Sequence, residues 1–449
     1  MEQYLSRTEG DINIGKKRME WYDKLDDQTL SALNSDNEHF IHQHLSTPCI
    51  DVIVDCEGCY LFTRSGKKIL DFHGNNLHQV GYKNSDVINA IVKQINLLPF
   101  SPRRFTNLPA IGLASRLTAL APNPLNKVLF APGGAEVNSI ALKIARLVTG
   151  RYKIISMWGS FHGTSIDTIS VGGEASFSAN AGPMLPGIIH IPPPDRYRGL
   201  WKDDADLEQY IEYIRFVLEQ EGDVGAIIAE TVRNTTVHIP PENFWKKIRK
   251  LCDRYGALLI LDEIPTALGR TGKFFAFEHF DVIPDMVTIG KGLGGAVFPM
   301  AAILVSEKLN KVSPYSVGHF THEKSAVGSA AGIAVLDYIE QNGLIEKAVL
   351  MESTIRKHCD KLYRKFEMIG HIRGIGMLWA IELVKDRETW EKAVSEAELI
   401  MYECLENGLN FKVSDGNILS LAPPLVIKEA EIESAFQILE KAFEKHLIK

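Results

Sequence analysis

The chain has 449 residues, of which 45% are hydrophobic and 23% charged, with a net charge of −7. That balance suits a globular enzyme of two or three domains and leaves no electrostatic footprint for nucleic acid or an anionic membrane. No stretch approaches the ~18–20 uninterrupted apolar residues of a spanning helix, and the polar start Met1-Glu2-Gln3 lacks a signal-peptide core, so a cytoplasmic protein is expected.

Residues 1–45 are polar and periodic, with Trp21, Tyr22 and Leu25 as anchors, and read as an arm and helix. Val52-Ile53-Val54, Cys59 to Phe62 and Lys68 to Phe72, separated by turn residues, predict a small antiparallel meander. Ser85 to Leu98 places Val87, Ile88, Ile91, Ile95 and Leu98 at helical spacing, so residues 46–105 read as meander plus connecting helix. Cys56 and Cys59 form the only CxxC pair. With Gly58 as a turn between them and no second pair at ligand spacing, they read as reduced thiols, and no metal is expected.

Over residues 106–325 the pattern becomes α/β. Short apolar runs recur at 127–131, 153–157, 188–191, 225–229, 258–262, 286–290 and 301–305, mostly with helical stretches between them. They predict a mostly parallel, seven-stranded open sheet covered on both faces, with ligands beyond the carboxyl ends of its strands. Residues 326–449 begin with an alanine-rich helix and continue as a small α+β unit, with Leu378 to Leu383 and Ile418 to Leu421 as strands. The meander and this tail are expected to share one small domain.

The chemistry is concentrated at two strand tips. Leu258-Leu259-Ile260-Leu261 ends on Asp262 and Glu263, and Met286-Val287-Thr288-Ile289 ends in Gly290-Lys291-Gly292. A lysine amine beside a carboxylate is what pyridoxal 5′-phosphate needs: the amine forms the Schiff base, and the acid keeps the pyridine nitrogen protonated. Pro132-Gly133-Gly134-Ala135 opens a helix after a strand and suits a phosphate. Phe161, in Ser160-Phe161-His162-Gly163, suits one face of a flat ring and Ile264 the other, while Glu230 ends a further strand.

From about residue 50 onward the chain resembles the class III aminotransferases, fold-type-I enzymes of pyridoxal phosphate. The likeness rests on Leu261-Asp262-Glu263-Ile264, Gly269-Arg270-Thr271-Gly272, Asp285 and Gly290-Lys291. It implies Lys291 as catalytic residue and Asp262 as partner of the ring nitrogen. Gly134, Ala135, Phe161, His162, Glu230 and Ile264 would complete the cofactor site. It also implies that Thr321, in His319-Phe320-Thr321-His322, reaches the cofactor phosphate of a neighbouring subunit, hence a homodimer with shared sites.

The sequence departs from that family in one device. The arginine two residues before Ala422-Pro423-Pro424-Leu425, which grips an α-carboxylate, is Ser420, and the glutamate that masks it is Thr235. Pro265 and Lys324-Ser325-Ala326 are further departures. A serine cannot grip a keto acid as an arginine does, so the expected reaction is β-elimination, with release of ammonia and an aldehyde. Ser-Pro-Arg-Arg-Phe-Thr at 101–106 and Thr-His-Glu-Lys at 321–324 resemble a branch acting on a small amino-hydroxy phosphonate. Arg103, Arg104, Arg233 and Lys324 are the candidate cations for that anion. The alternative is an ω-amine or 2-aminoethylphosphonate transaminase that holds its keto acid through another arginine.

Overall fold

The short apolar runs form strands in the computed structural model, which describes residues 15–44 and 46–447, without the side chains of residues 204 and 205. The chain divides into two units. One comprises residues up to Asn84, Thr235–Val237 and Glu346 onward; the other comprises Ser85–Asn234 and His238–Ile345. Residues 1–14 of the expected arm lie outside the described residues. After them come helices Lys16–Tyr22 and Asp27–His39, the second opened by the Asp26 carboxylate, which accepts from the Gln28 and Thr29 amides.

In the smaller unit, β1 (Ile53–Glu57), β2 (Tyr60–Thr63) and β3 (Lys68–Asp71) form the antiparallel meander, and Gly58 at φ +57° makes its first turn. In the larger unit, β4 (Leu125–Ala131), β5 (Lys153–Met157), β6 (Ile188–Ile191), β7 (Val224–Glu230), β8 (Leu258–Asp262), β9 (Met286–Ile289) and β10 (Ala301–Ser306) form one sheet, ordered β4-β10-β9-β8-β7-β5-β6. Only β10 runs against its two neighbours; the other pairings are parallel. The β9 run stops at Ile289, one residue short of expectation, with the chain entering the short helix Lys291–Gly294 after Gly290.

The strands are buried on both faces, as continuous apolar runs require. Helix Gly134–Thr149 covers one face with Val137, Ile140, Ala141, Ile144 and Ala145, all in one cluster with Ile228, Ile260 and Ile303. Each fully buried aliphatic of that size contributes about 1.5–3 kcal/mol.

β11 (Ile369–Ile375), β12 (Leu378–Leu383), β13 (Leu409–Asn410), β14 (Lys412–Ser414) and β15 (Ile418–Leu421) complete the smaller unit. β13 pairs with β3, and the rest form a sheet ordered β11-β12-β15-β14.

Helices Ser85–Leu97 and Ala326–Gln341 approach across Gly295, which sits at φ +65°. A Cβ there would lie 2.8 Å from Val87 and 2.9 Å from Val335. Gly295→Ala should therefore lower stability by about 1–3 kcal/mol, read as a fall in thermal midpoint. An unchanged midpoint would show that the helices give way freely.

Candidate active site

Successive residues of a strand face opposite sides, and Asp262 and Glu263 divide accordingly. Glu263 points into the protein, where it accepts from Thr231 Oγ1 (2.7 Å) and from the amides of Ala276 (2.6 Å) and Phe277 (2.7 Å). Burial pushes its carboxyl up to about 7, against the pull of those donors. It anchors the turn Ala276–Phe280 and is fully buried beneath it.

Asp262 is 2% exposed. Its Oδ2 accepts from Asn138 Nδ2 (2.7 Å) and His162 Nδ1 (2.8 Å), and its Oδ1 accepts only from the Ile264 amide (3.1 Å). Oδ1 thus keeps a lone pair for one further donor, as a protonated ring nitrogen requires. Asn138 is itself fixed, since its Oδ1 accepts from Thr288 Oγ1 (2.8 Å) and its amide also donates to the His162 carbonyl (2.9 Å). In register, Asp262 pairs with Glu230 on one side and with Thr288 on the other.

Lys291 opens the short helix Lys291–Gly294, with its backbone at φ +47°. A lysine held in the left-handed region costs on the order of 1–2 kcal/mol and is kept only where the surroundings impose it. Helix Gly134–Thr149 starts behind Gly133, which offers no side-chain cap, so its first amides remain available to an anion. A Cβ on Gly134 would lie 2.9 Å from Ile264 Cδ1, so the turn and Ile264 are packed together. Ala135 is half-buried beside it. Phe161 is 39% exposed, with its ring 4.7 Å from that of Phe177. These donors, the saturated Oδ2 with open Oδ1, and the uncapped helix start fit pyridoxal 5′-phosphate.

Glu230 is half-buried and accepts from the amides of Phe161 (3.2 Å) and Asn234 (3.0 Å), tying the aromatic loop to the end of β7. Thr321 is exposed. Arg103, Arg104 and Lys324 are exposed too; Arg103 Nη2 contacts His319 Nε2 at 2.6 Å, and the Lys324 carbonyl accepts from Asn107 Nδ2. Arg233 alone of the four candidate cations is largely buried, its side chain 13% exposed. In the smaller unit, Ser420 Oγ donates to the Thr235 carbonyl at 2.5 Å, so the two altered positions meet.

Asn138 is the residue that sequence reasoning missed. Its signal was a lone amide within the apolar stripe Val137, Ile140, Ala141, Ile144. Asn138→Ala removes a bond to a buried carboxylate and strands the Thr288 hydroxyl. The holoenzyme should release cofactor with a dissociation constant raised about 10- to 150-fold, measured from the visible absorbance of the bound form. Unchanged affinity would show that His162 alone holds Asp262.

The aminotransferase class-III family model matches residues 42–443. A curated (R)-1-hydroxy-2-aminoethylphosphonate ammonia-lyase of Vibrio splendidus is 45% identical, over 98% of this chain and 95% of its own. A leucine/methionine racemase of Thermococcus litoralis is 33% identical over 87% of this chain and 90% of its own. Among solved structures, an (S)-enantioselective ω-transaminase of Thermomicrobium roseum superposes with a TM-score of 0.88 at 28% identity, covering 93% of this chain and 99% of that one. An ω-transaminase from Pseudomonas jessenii in complex with PMP gives 0.87 at 26%, covering 92% and 97%. The cofactor is pyridoxal 5′-phosphate, and the strand-tip cluster has residues that fit it. By its match along nearly the whole sequence and by this site, the chain belongs to the class III aminotransferases.

Proposed function

We propose that this protein is an ammonia-lyase acting on a small amino-hydroxy phosphonate, converting (R)-1-hydroxy-2-aminoethylphosphonate to phosphonoacetaldehyde and ammonia. The observation that carries the reading is the bond from Ser420 to the Thr235 carbonyl. Where the family resemblance implies an arginine for a keto acid and a glutamate to mask it, this chain has a neutral pair closed on itself. The likeness to the Vibrio splendidus lyase supports the same substrate.

When bound, pyridoxal phosphate supplies a sink for the electron pair left by a broken C–H bond. Lys291 Nζ removes the proton from the carbon that bears the substrate nitrogen. It then carries that proton to the hydroxyl leaving the adjacent carbon, so that water departs. Asp262 Oδ1 holds the proton on the ring nitrogen, and Asn138 and His162 keep the carboxylate oriented. The enamine that remains takes a proton on the carbon that lost the hydroxyl, and hydrolysis of the resulting imine gives aldehyde and ammonia, so no keto acid enters the balance.

Leu97, Phe105 and Leu108 are 75%, 63% and 82% exposed on neighbouring segments of the larger unit. Such a patch suits a second copy of the chain and supports a homodimer in which Thr321 serves the partner's cofactor phosphate. Six unpaired cysteines accord with a reducing cytoplasm. No helix among the described residues is long and apolar enough to cross a membrane.

One observation favours transamination instead. Lys412 on β14 pairs with Ser420 across the sheet, a cation on the same face as the altered position. Arg373, in the same row beyond Ala380, is matched by Glu382 (2.8 Å) and the Thr236 carbonyl (2.7 Å).

The purified holoenzyme should release ammonia from the hydroxylated substrate with no keto acid present, and Lys291→Ala should lower turnover at least ~10²- to 10⁴-fold. A strict need for pyruvate or 2-oxoglutarate would overturn the lyase in favour of transamination.

A further inference from the structure

Arg233 follows β7 by three residues, in the loop that Glu230 ties to Phe161. Its side chain is 13% exposed, yet among the described residues it makes no hydrogen bond. Nε is buried without a partner, and the one carboxylate nearby, Glu174 Oε2, stands 3.8 Å from Nη2. A guanidinium presents five N–H donors; the one on Nε is buried unbonded, which is unfavourable, and those on Nη1 and Nη2 make no hydrogen bond to the described residues. The neighbouring backbone nevertheless makes room for it. Gly159 lies at φ +75°, and a Cβ there would come within 2.2 Å of Nη1, so only glycine admits the guanidinium. Gly159 is two residues before Phe161, and Glu174 is three before Phe177, whose ring meets that of Phe161. The unbonded fork therefore borders the exposed aromatic that the cofactor reading places over the ring.

We infer that Arg233 is the anchor for the phosphonate dianion of the substrate, with Glu174 as the counter-ion that a bound dianion displaces. The inference rests on the phosphonate-lyase reading and deepens it. Bidentate geometry suits Arg233 to a tetrahedral oxyanion better than to an amine or a hydroxyl. The exposed Arg103, Arg104 and Lys324 already face water, and a dianion gains less from them. Glu174 accepts from Ser176 Oγ at 3.0 Å, which holds it at a distance where it lowers the cost of the bare cation without closing on it.

The test compares holoenzymes of the wild type, Arg233→Gln and Glu174→Gln, with methylphosphonate as probe. Arg233→Gln should weaken methylphosphonate binding, and raise KM for the hydroxylated aminoethylphosphonate, about 30- to 100-fold. Its bound-cofactor absorbance should be unchanged, and its thermal midpoint equal to or above that of the wild type, because an unbonded buried charge is removed. Glu174→Gln should tighten methylphosphonate binding several-fold. Unchanged probe binding in Arg233→Gln, a lowered midpoint with unchanged KM, or loss of cofactor in place of the probe would each overturn the inference, the last by assigning Arg233 to the cofactor phosphate. If the wild type bound methylphosphonate through Arg233 but released no ammonia, the lyase reading alone would fail.

Discussion

A carboxylate that is 2% exposed has lost its water and needs hydrogen bonds in exchange. Asp262 is compensated by Asn138, His162 and the Ile264 amide, drawn from a helix, a loop and its own strand end. Asn138 and His162 occupy Oδ2, while the Ile264 amide takes one lone pair of Oδ1 and leaves the other. The rest of the larger unit can be understood as what brings them together: parallel β5, β7, β8 and β9 deliver loop, acid and lysine to one edge, and helix Gly134–Thr149 carries both the uncapped amides and Asn138.

Much of this was legible in the sequence because local chemistry and periodicity agreed. Asp262 and Lys291 stand at the tips of apolar runs, the lysine between turn glycines, and all seven strand runs in this unit stop within a residue of where the pattern stops. What was not legible depended on direction rather than type. Asp262 and Glu263 are adjacent and chemically alike, but the pleat sends one to the ligand edge and the other beneath Ala276 and Phe277. Asn138 was hidden because a polar residue within a helix says nothing about its partner 124 residues away. Arg103, Arg104, Arg233 and Lys324 were equivalent on paper, and burial and missing hydrogen bonds separate them only in three dimensions.

The altered pair in the smaller unit shows how an activity can be narrowed by subtraction. A serine and a threonine carbonyl need no counter-ion and no gate, so the exchange leaves no orphaned charge. A lone loss of the arginine, with a glutamate still at 235, would have left an acid to be solvated. With both members changed, Ser420 finds its partner in the Thr235 carbonyl, and neither position carries a charge.

The left-handed backbone at Lys291 has a further meaning. Glycine or asparagine would sit there with less strain, so the backbone alone does not favour a lysine at that point. If Lys291 is the proposed base, the position trades durability for reactivity. A lineage released from the need for the reaction would be free to drift there first.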